Sequence, residues 1–346
     1  MSKKDLSVLK LKEFNLNIRN SLIYSNFKLY LEKSIKKKTF LIAVSGGPDS
    51  LALTALSKIY TNEKKNKVFF VLVDHGIRLN SSKEAKAVKS LLKKKKINLV
   101  VLSNKEKINK NIQRHAREVR YKLLLNFCNK NKIKFILTGH HRDDQIETFL
   151  IRLSRGSGVQ GLSSMKKIST LSNKIKLIRP LLDEKKKDLS IIAKTFFGKI
   201  FKDPSNNNQK YLRTKIRGLI KHFEKSGIKH ERIISSINNL GATRDTLNTY
   251  ISRVEKECIV KKKKEISINL NFFLLESTEI QLKIFSNCIK IISKKYYPPR
   301  AKKILNLLIK AKFDKKLKAT LGGCEIQKTQ NNLVISKEEL KKGLKI

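Results

Sequence analysis

The sequence predicts an α/β fold, a parallel sheet with helices on both faces, followed by a mostly helical domain with a small terminal β element. Three observations predict it. In the first half, four short apolar runs alternate with helix-length segments. Each run is continuous, as suits a strand buried on both faces. Each also ends in polar residues, and in such sheets ligands bind at the carboxyl ends of the strands.

The first strand, "TFLIAVS" (39–45), runs into Gly46, Gly47, Pro48, Asp49 and Ser50, with a helix over 48–60. "VFFVLVDH" (68–75) is followed by a helix over 82–95, and "INLVVLS" (97–103) by one over 112–131. "KFILTGH" (134–140) leads to a helix over 142–154. Strand–helix alternation of this kind implies right-handed βαβ units. The strand ends Ser45–Asp49, Asp74–Arg78, Ser103–Asn104 and Gly139–Asp144 point to one site assembled from several strands. After a Gly/Ser-rich loop (155–165) come a strand-like "KLIRPLL", a helix over 184–197, and a polar loop leading into a basic helix within 202–220. From about residue 222 helical patterns dominate, "VKKKKE" reads as a solvated turn, and the Pro pair of "PPRAKKILNLLIKAKF" (298–313) suits a helix start. The tail reads as strands joined by turns at Gly322–Gly323 and Asn331–Asn332. The expected domains are 1–220 and 221–346.

No apolar run approaches the 18 or so residues that would cross a bilayer, and the N-terminus has no continuous apolar core of a signal peptide. Cys128, Cys258, Cys288 and Cys324 lie far apart with no CxxC, which argues against a zinc ribbon or disulfide framework. A reduced, cytoplasmic protein without a membrane partner is expected. The formal charge of +50 permits a nucleic-acid partner without proving one. Lys outnumbers Arg 63 to 15 and the charge is spread evenly, so most of it is solvated surface. The arginines carry more information. Nine of the fifteen fall between Arg114 and Arg217, and Arg grips phosphate or carboxylate with a planar fork.

A strand running through Ser45-Gly46-Gly47 into a helix forms a nest of backbone N–H groups for an anion. Asp49 would repel a phosphate unless a divalent cation sits between them, and Mg²⁺ takes one or two carboxylates plus phosphate oxygens. The loop therefore suits metal-bound pyrophosphate that must leave. The bland alternative is a Gly turn with Asp49 and Ser50 at a helix start. In "GHHRDDQIET", Asp144 and Glu147 share a helical face and could hold an ammonium, although acids in a first helical turn are also favoured by the helix dipole. His140 and Asp144, four apart, lack a clear third metal ligand.

Strand–SGGxDS–helix resembles the pyrophosphate loop of N-type ATP pyrophosphatases, the PP-loop ATPases, whose fold is Rossmann-like. "VDHGIR", Arg117–Tyr121 as ARxxRY, "GHHRDDQIETFLIRLSRGSG" and "RPLL" stand in the order and spacing of the tRNA(Ile)-lysidine synthetases, over roughly 38–220. "TLGG" in the tail is a weaker match. The resemblance implies an ATP-pyrophosphatase domain over 1–220 and a tRNA-binding domain over 221–346. It implies ATP and Mg²⁺ as cofactors, and free L-lysine and a tRNA(Ile) with a CAU anticodon as substrates. ATP would adenylate C2 of the wobble cytidine, and the lysine ε-amine would then displace AMP. Ser45, Gly46, Gly47, Pro48, Asp49 and Ser50 would hold the nucleotide, with Asp49 on the metal. Asp74, His75 and Arg78 suit the adenosine end, although His75 reads equally well as a strand-end polar residue; Gly139 and His140 complete that side. Asp144 and Glu147 would take the lysine ammonium, with Arg117 or Arg120 nearby. Arg155 would approach phosphate or RNA backbone. Arg213 and Arg217, four apart on one face, are expected to contact tRNA phosphate rather than pair with acids.

A tRNA thiolase of the same superfamily is the nearest alternative, but no two cysteines stand close in sequence. An ammonia-using synthetase would gain nothing obvious from a basic helical extension, and no glutaminase domain or partner is expected. A non-enzymatic RNA-binding relic would not need the intact SGGPDS loop and both acids.

Overall fold

Strand β1 (Phe40–Val44) sits at the centre of a six-stranded sheet that the chain builds outward in both directions. The computed structural model describes residues 17–18, 21–77, 80–104, 112–172, 174–201, 212–294 and 299–338. The chain divides into two compact units, Met1–Leu240 and Gly241–Ile346.

In the first unit, helix α1 (Leu22–Ser34) precedes β1, and α2 (Pro48–Lys64) follows it. Then come β2 (Val68–Asp74), α3 (Ser81–Lys93), β3 (Leu99–Ser103), α4 (Ile112–Lys130), β4 (Phe135–Leu137) and α5 (Arg142–Leu153). A short α6 (Val159–Leu162), β5 (Ile168–Ser172), β6 (Ile175–Ile178), α7 (Lys186–Phe197) and α8 (Leu212–Lys225) complete it before α9 (His230–Cys258), within which the division falls. The sheet order is β3-β2-β1-β4-β6-β5, with every pairing parallel except β5–β6. Beside β1 the chain order reverses, which opens a crevice at the carboxyl ends of β1 and β4.

Both faces of the sheet are covered, as the continuous apolar runs require. In β1, Phe40, Ile42 and Val44 join the cluster made with Phe27, Leu31, Leu53, Leu189 and Phe196 of α1, α2 and α7. The alternate residue Leu41 faces Leu124 and Cys128 of α4, with Val71 and Ile136. Two elements are not legible as apolar runs. Helix α1 starts at Ser21, whose side chain accepts from Tyr24 N at 3.2 Å. The edge strand β5 carries Ser169, Thr170 and Ser172 and a register shift between the last two, because an antiparallel edge needs no apolar outer face. The polar loop expected before α8 includes residues 202–211, which lie outside the described residues.

In the second unit, β7 (Ile259–Lys261) and β8 (Glu265–Asn269) flank the expected Lys-rich turn. Helices α10 (Leu270–Phe273), α11 (Thr278–Ser293) and α12 (Ala301–Phe313) lead to β9 (Lys318–Leu321), β10 (Cys324–Thr329) and β11 (Asn332–Lys337). The β element is thus a five-stranded antiparallel sheet, order β7-β8-β11-β10-β9, larger than the tail alone suggests. Phe273, Ile284 and Phe285 pack with Ile266, Ile326 and Ile335 in its core. No described helix is long and apolar enough to cross a membrane.

The crevice depends on Gly139, just past β4. A Cβ there would lie 2.7 Å from the Asp49 carbonyl oxygen, 2.9 Å from its carbon and 3.1 Å from Ser50 N. All three are backbone atoms of the first turn of α2, which cannot swing aside as a side chain can. Gly139→Ala is therefore expected to destabilise the first unit by about 1–3 kcal/mol in urea melts. Gly47→Ala, whose Cβ would meet only Ser45 Oγ at 3.7 Å, is expected to melt close to the parent protein.

Candidate active site

The chain turns from β1 into α2 through Ser45, Gly46 and Gly47. Gly46 has φ +84°, and a Cβ there would come 2.6 Å from Val88 Cγ2, so both the backbone and the space call for glycine. Ser50 closes the turn. Its hydroxyl accepts from Ser45 N (3.1 Å) and Ser45 Oγ (3.0 Å) and donates to the Gly47 carbonyl (3.0 Å), which uses its full capacity. Gly47 caps α2 and Pro48 takes the first helical position, where a missing N–H is no loss. The remaining first-turn N–H groups, at the positive end of the helix, suit an anion. Beside them, Asp49 Oδ1 is buried with no hydrogen-bond partner among the described residues. An orphaned carboxylate oxygen next to an anion nest fits Mg²⁺ shared with phosphate. Among the described residues no three His, Cys, Asp or Glu side chains cluster as a metal cage, so a cation here would draw its other ligands from substrate and water.

The second half of the site forms at the start of α5, around His141, a residue the sequence reading did not single out. His141 Nδ1 accepts from Asp143 N (3.2 Å), while His141 N donates to Asp144 Oδ2 (3.1 Å). With Nδ1 an acceptor, the ring proton sits on Nε2. That nitrogen lies 3.5 Å from Asp49 Oδ2 and 3.6 Å from Asp144 Oδ2. Burial disfavours a charged His141, but the hydrogen bond to Asp49 and the charges of Asp144, Asp49 and Asp143 outweigh it and raise its pKa. The cap bond, which needs a bare Nδ1, works against that shift. Burial also opposes ionisation of Asp144, yet His141, His140 and Arg213 hold its carboxyl below the usual range. His140 shares a 2.8 Å hydrogen bond with Thr138 Oγ1. Burial, with Arg179, Arg117 and Arg213 and against Asp144, pushes His140 down to about 4.

Glu147 is only 2% exposed. Ile146 and Leu150 on α5 pack against Ile216 and Ile220 on α8, and this seam carries Arg213 and Arg217 onto the same face. Arg213 Nε lies 2.9 Å from Glu147 Oε2, and its Nη2 lies 3.6 Å from Asp144 Oδ1. Arg217 Nε donates to Glu147 Oε1 at 2.5 Å. Burial disfavours a charged Arg217, but its hydrogen bond to Glu147, with the charges of Glu147, Asp144 and Asp49, raises its pKa. This corrects one expectation: the two arginines do pair with acids. A carboxylate this deeply buried requires cationic partners, and α8 supplies them.

At the end of β2, Asp74 is committed locally. Its Oδ1 accepts from Gly76 N (3.1 Å) and its Oδ2 from Ser82 Oγ (2.8 Å). Arg120 Nε donates to His75 Nε2 at 3.3 Å, so the ring proton sits on Nδ1, which is buried and has no partner among the described residues. Burial and then the Arg120 charge, against Asp74, push His75 down to about 4. Arg117 is exposed and stacks over the Tyr121 ring at 5.0 Å. Arg155 is exposed in the turn after α5. Arg78 lies outside the described residues. Arg179, also not singled out from sequence, is buried beside this site and donates to the Lys166 carbonyl (2.7 Å) and Ser169 Oγ (3.0 Å). Its signals were its place at the head of "RPLL", one of the motifs of the resemblance, and a lone charge between a strand and a Pro. The four cysteines are free and buried, and burial pushes Cys128 and Cys288 up to about 12.

Known proteins resemble this chain in sequence and in fold. A PP-loop domain family matches residues 20–223. A tRNA(Ile)-lysidine synthase of Wolbachia pipientis wMel is 38% identical over 304 residues, 86% of this chain and 70% of that protein. One from Rickettsia typhi is 32% identical over 335 residues, 96% of this chain and 74% of that protein. Among solved structures, a U34-tRNA thiolase from Methanococcus maripaludis superposes with a TM-score of 0.52 at 19% identity, covering 64% of this chain and 80% of the thiolase. At that identity the likeness concerns the fold alone.

His75 and His140 make acid stability a test of this geometry. Each sits at about 4 in the fold against an ordinary 6.5, so between those values the unfolded chain binds more protons. Stability is expected to fall as pH drops from 6.5 toward 4. The slope is at most about 1.4 kcal/mol per pH unit per fully buried group, and less for a group with solvent access. Urea melts at pH 7, 5.5 and 4.5 measure it, and His140→Gln is expected to flatten the decline. An unchanged slope in that variant would remove His140 as its source.

Proposed function

Because the chain belongs to the tRNA(Ile)-lysidine synthase family, PP-loop ATP-dependent enzymes of tRNA modification, we propose that it joins free L-lysine to C2 of the wobble cytidine of a tRNA(Ile) with a CAU anticodon. The reaction would run through an adenylated tRNA intermediate and release pyrophosphate and then AMP. The observation that carries this reading is His141 Nε2, set 3.5 Å from the phosphate-loop acid Asp49 and 3.6 Å from Asp144 of the second acid pair. A nucleotide site and an ammonium site that share one histidine suit two reactions on one substrate atom.

In this reading the N–H groups after Ser45 receive the triphosphate of ATP, while Ser50 holds the loop in shape. Asp49 Oδ1 would hold Mg²⁺, whose chemistry there is to offset charge on departing pyrophosphate. His75 and Asp74 would form the adenosine end, with Arg120 holding the His75 ring through its Nε2. Gly139 gives the nucleotide side its close approach, and His140 stays neutral there. Asp144 and Glu147 hold the lysine ammonium, and one of the two carboxylates accepts a proton from it. The freed amine then attacks C2, the C–N bond forms, and the bond from C2 to the AMP oxygen breaks. Arg117, whose charge acts on His140 beside Asp144, would lie near this acid pair, and Arg155 and the second unit would contribute RNA-backbone contacts. The four buried cysteines, of which burial raises Cys128, Cys258 and Cys288, weigh against the thiolase alternative, which needs thiolate chemistry.

Purified protein incubated with ATP, Mg²⁺, labelled lysine and unmodified tRNA is expected to transfer label to the tRNA. Absence of transfer under turnover conditions would sink the reading. Two variants divide the steps. Asp49→Asn is expected to lose pyrophosphate release, a barrier increase on the order of several kcal/mol, with little change in melting. Glu147→Gln is expected to keep pyrophosphate release yet need at least about tenfold more lysine to complete transfer. Near-normal adenylation by Asp49→Asn would remove the metal role. An unchanged lysine requirement in Glu147→Gln would move the acids out of the lysine site.

A further inference from the structure

The acids assigned to lysine are already engaged. Glu147 Oε1 receives Arg217 Nε, Oε2 faces Arg213 Nε at 2.9 Å, and Asp144 Oδ1 faces Arg213 Nη2 at 3.6 Å. With 2% exposure, Glu147 has no open side from which a third cation could reach it. A lysine ammonium can join this carboxylate only if a guanidinium gives way. A displaced guanidinium then needs another anion, since stranding it beside a low-dielectric seam is unfavourable. Arg213 and Arg217 are 45% and 31% exposed at their side chains, so their outer faces reach solvent while their inner faces hold the acid. The anions that this reaction brings to the site are phosphates, from the nucleotide and from the RNA, and the guanidinium fork binds phosphate with two bonds.

We infer that Arg213 and Arg217 are placeholders: they occupy Glu147 and Asp144 until substrate phosphate draws them off, and lysine is admitted only then. This rests on the reading of Asp144 and Glu147 as the ammonium site and adds an order of binding to it. Lysine comes last. The device would keep a free amine away from the acids until a target for attack is present. The two arginines are positioning residues in this account, because they act on lysine through the acids and the phosphate.

Equilibrium dialysis of labelled L-lysine tests it with the full chain in four arms: protein alone, with an ATP analogue carrying a methylene between its α and β phosphates, with unmodified tRNA, and with both. Lysine affinity is expected to rise at least about tenfold in one or more phosphate arms, and the arm that produces the rise identifies the source. Equal affinity in all four arms overturns the proposal. Arg217→Gln and Arg213→Gln are each expected to strengthen lysine binding to protein alone and to shrink the gain from phosphate. Loss of lysine binding in every arm would instead make the guanidinia ligands of lysine, and the proposal fails. Arg217→Lys, which keeps a charge in the seam if the glutamine variant does not fold, is expected to shrink the gain as well; an undiminished gain counts against the proposal. Glu147→Gln separates the two readings. If it binds lysine as the parent does, the acid assignment itself is wrong. If it loses lysine while the parent shows no phosphate dependence, the acids stand and the placeholder order falls.

Discussion

A carboxylate almost wholly removed from water is the constraint on which the site depends. Glu147 cannot stand alone at that depth, because an isolated buried charge costs several kcal/mol or shifts its protonation. Arg213 and Arg217 meet it, and they arrive because Ile216 and Ile220, on the same face of α8, pack on Ile146 and Leu150. Burying each of those side chains stabilises by about 1.5–3 kcal/mol, which offsets the desolvation of the ions beside them. The apolar seam and the ion cluster are therefore one device. From Glu147 the order passes along one helix turn to Asp144, through the cap of His141, and across to Asp49 on the phosphate loop. The nucleotide loop and the acid pair lie far apart in sequence, and these contacts are what make them one place.

Most of the fold was legible because its signals are local. Continuous apolar runs gave β1 to β4, and the glycines and Pro48 marked where β1 becomes α2. The edge strand β5 was not legible, since three of its five residues are polar and only pairing with β6 makes it a strand. The hairpin of β7 and β8 was hidden in the same way: the Lys-rich turn was readable, but the strands on either side are too short to separate from helix. In the site, residue types were readable and partnerships were not. The spacing of Arg213 and Arg217 told that they share a face, while nothing in the spacing told that α5 lies under that face. His141 was passed over beside His140, although a polar residue followed closely by acids at a helix start is the pattern of a cap. Asp74 shows the converse: its position at a strand end suggested ligand contact, and its two oxygens serve the turn into α3.

Charge carries its information in departures from the background. The chain has 78 basic and 28 acidic residues, so a surface lysine says little and a buried acid says much. Asp49, Asp144 and Glu147 converge in one crevice, and the cations that face them are arginine and histidine. The field that a phosphate meets here is thus set by a few oriented groups, whereas the diffuse lysine surface contributes attraction that salt readily screens.

That the two partners of Glu147 are arginines also bears on the chemistry. Lysine is the default cation of this sequence, and a lysine at position 213 or 217 would satisfy a carboxylate with a single point charge. Under the proposed reaction such a side chain would match the substrate's own ammonium, tethered beside the acids at high local concentration. Free lysine would then compete against an intramolecular copy of itself and lose. A guanidinium avoids that contest. It holds the carboxylate through a fixed planar fork, stays charged at any working pH, and has a second anion class, phosphate, that it binds at least as well. In the proposed order, the acids and the arginines thus form a pair whose members prefer different substrates, and the arrival of one substrate would change what the other finds.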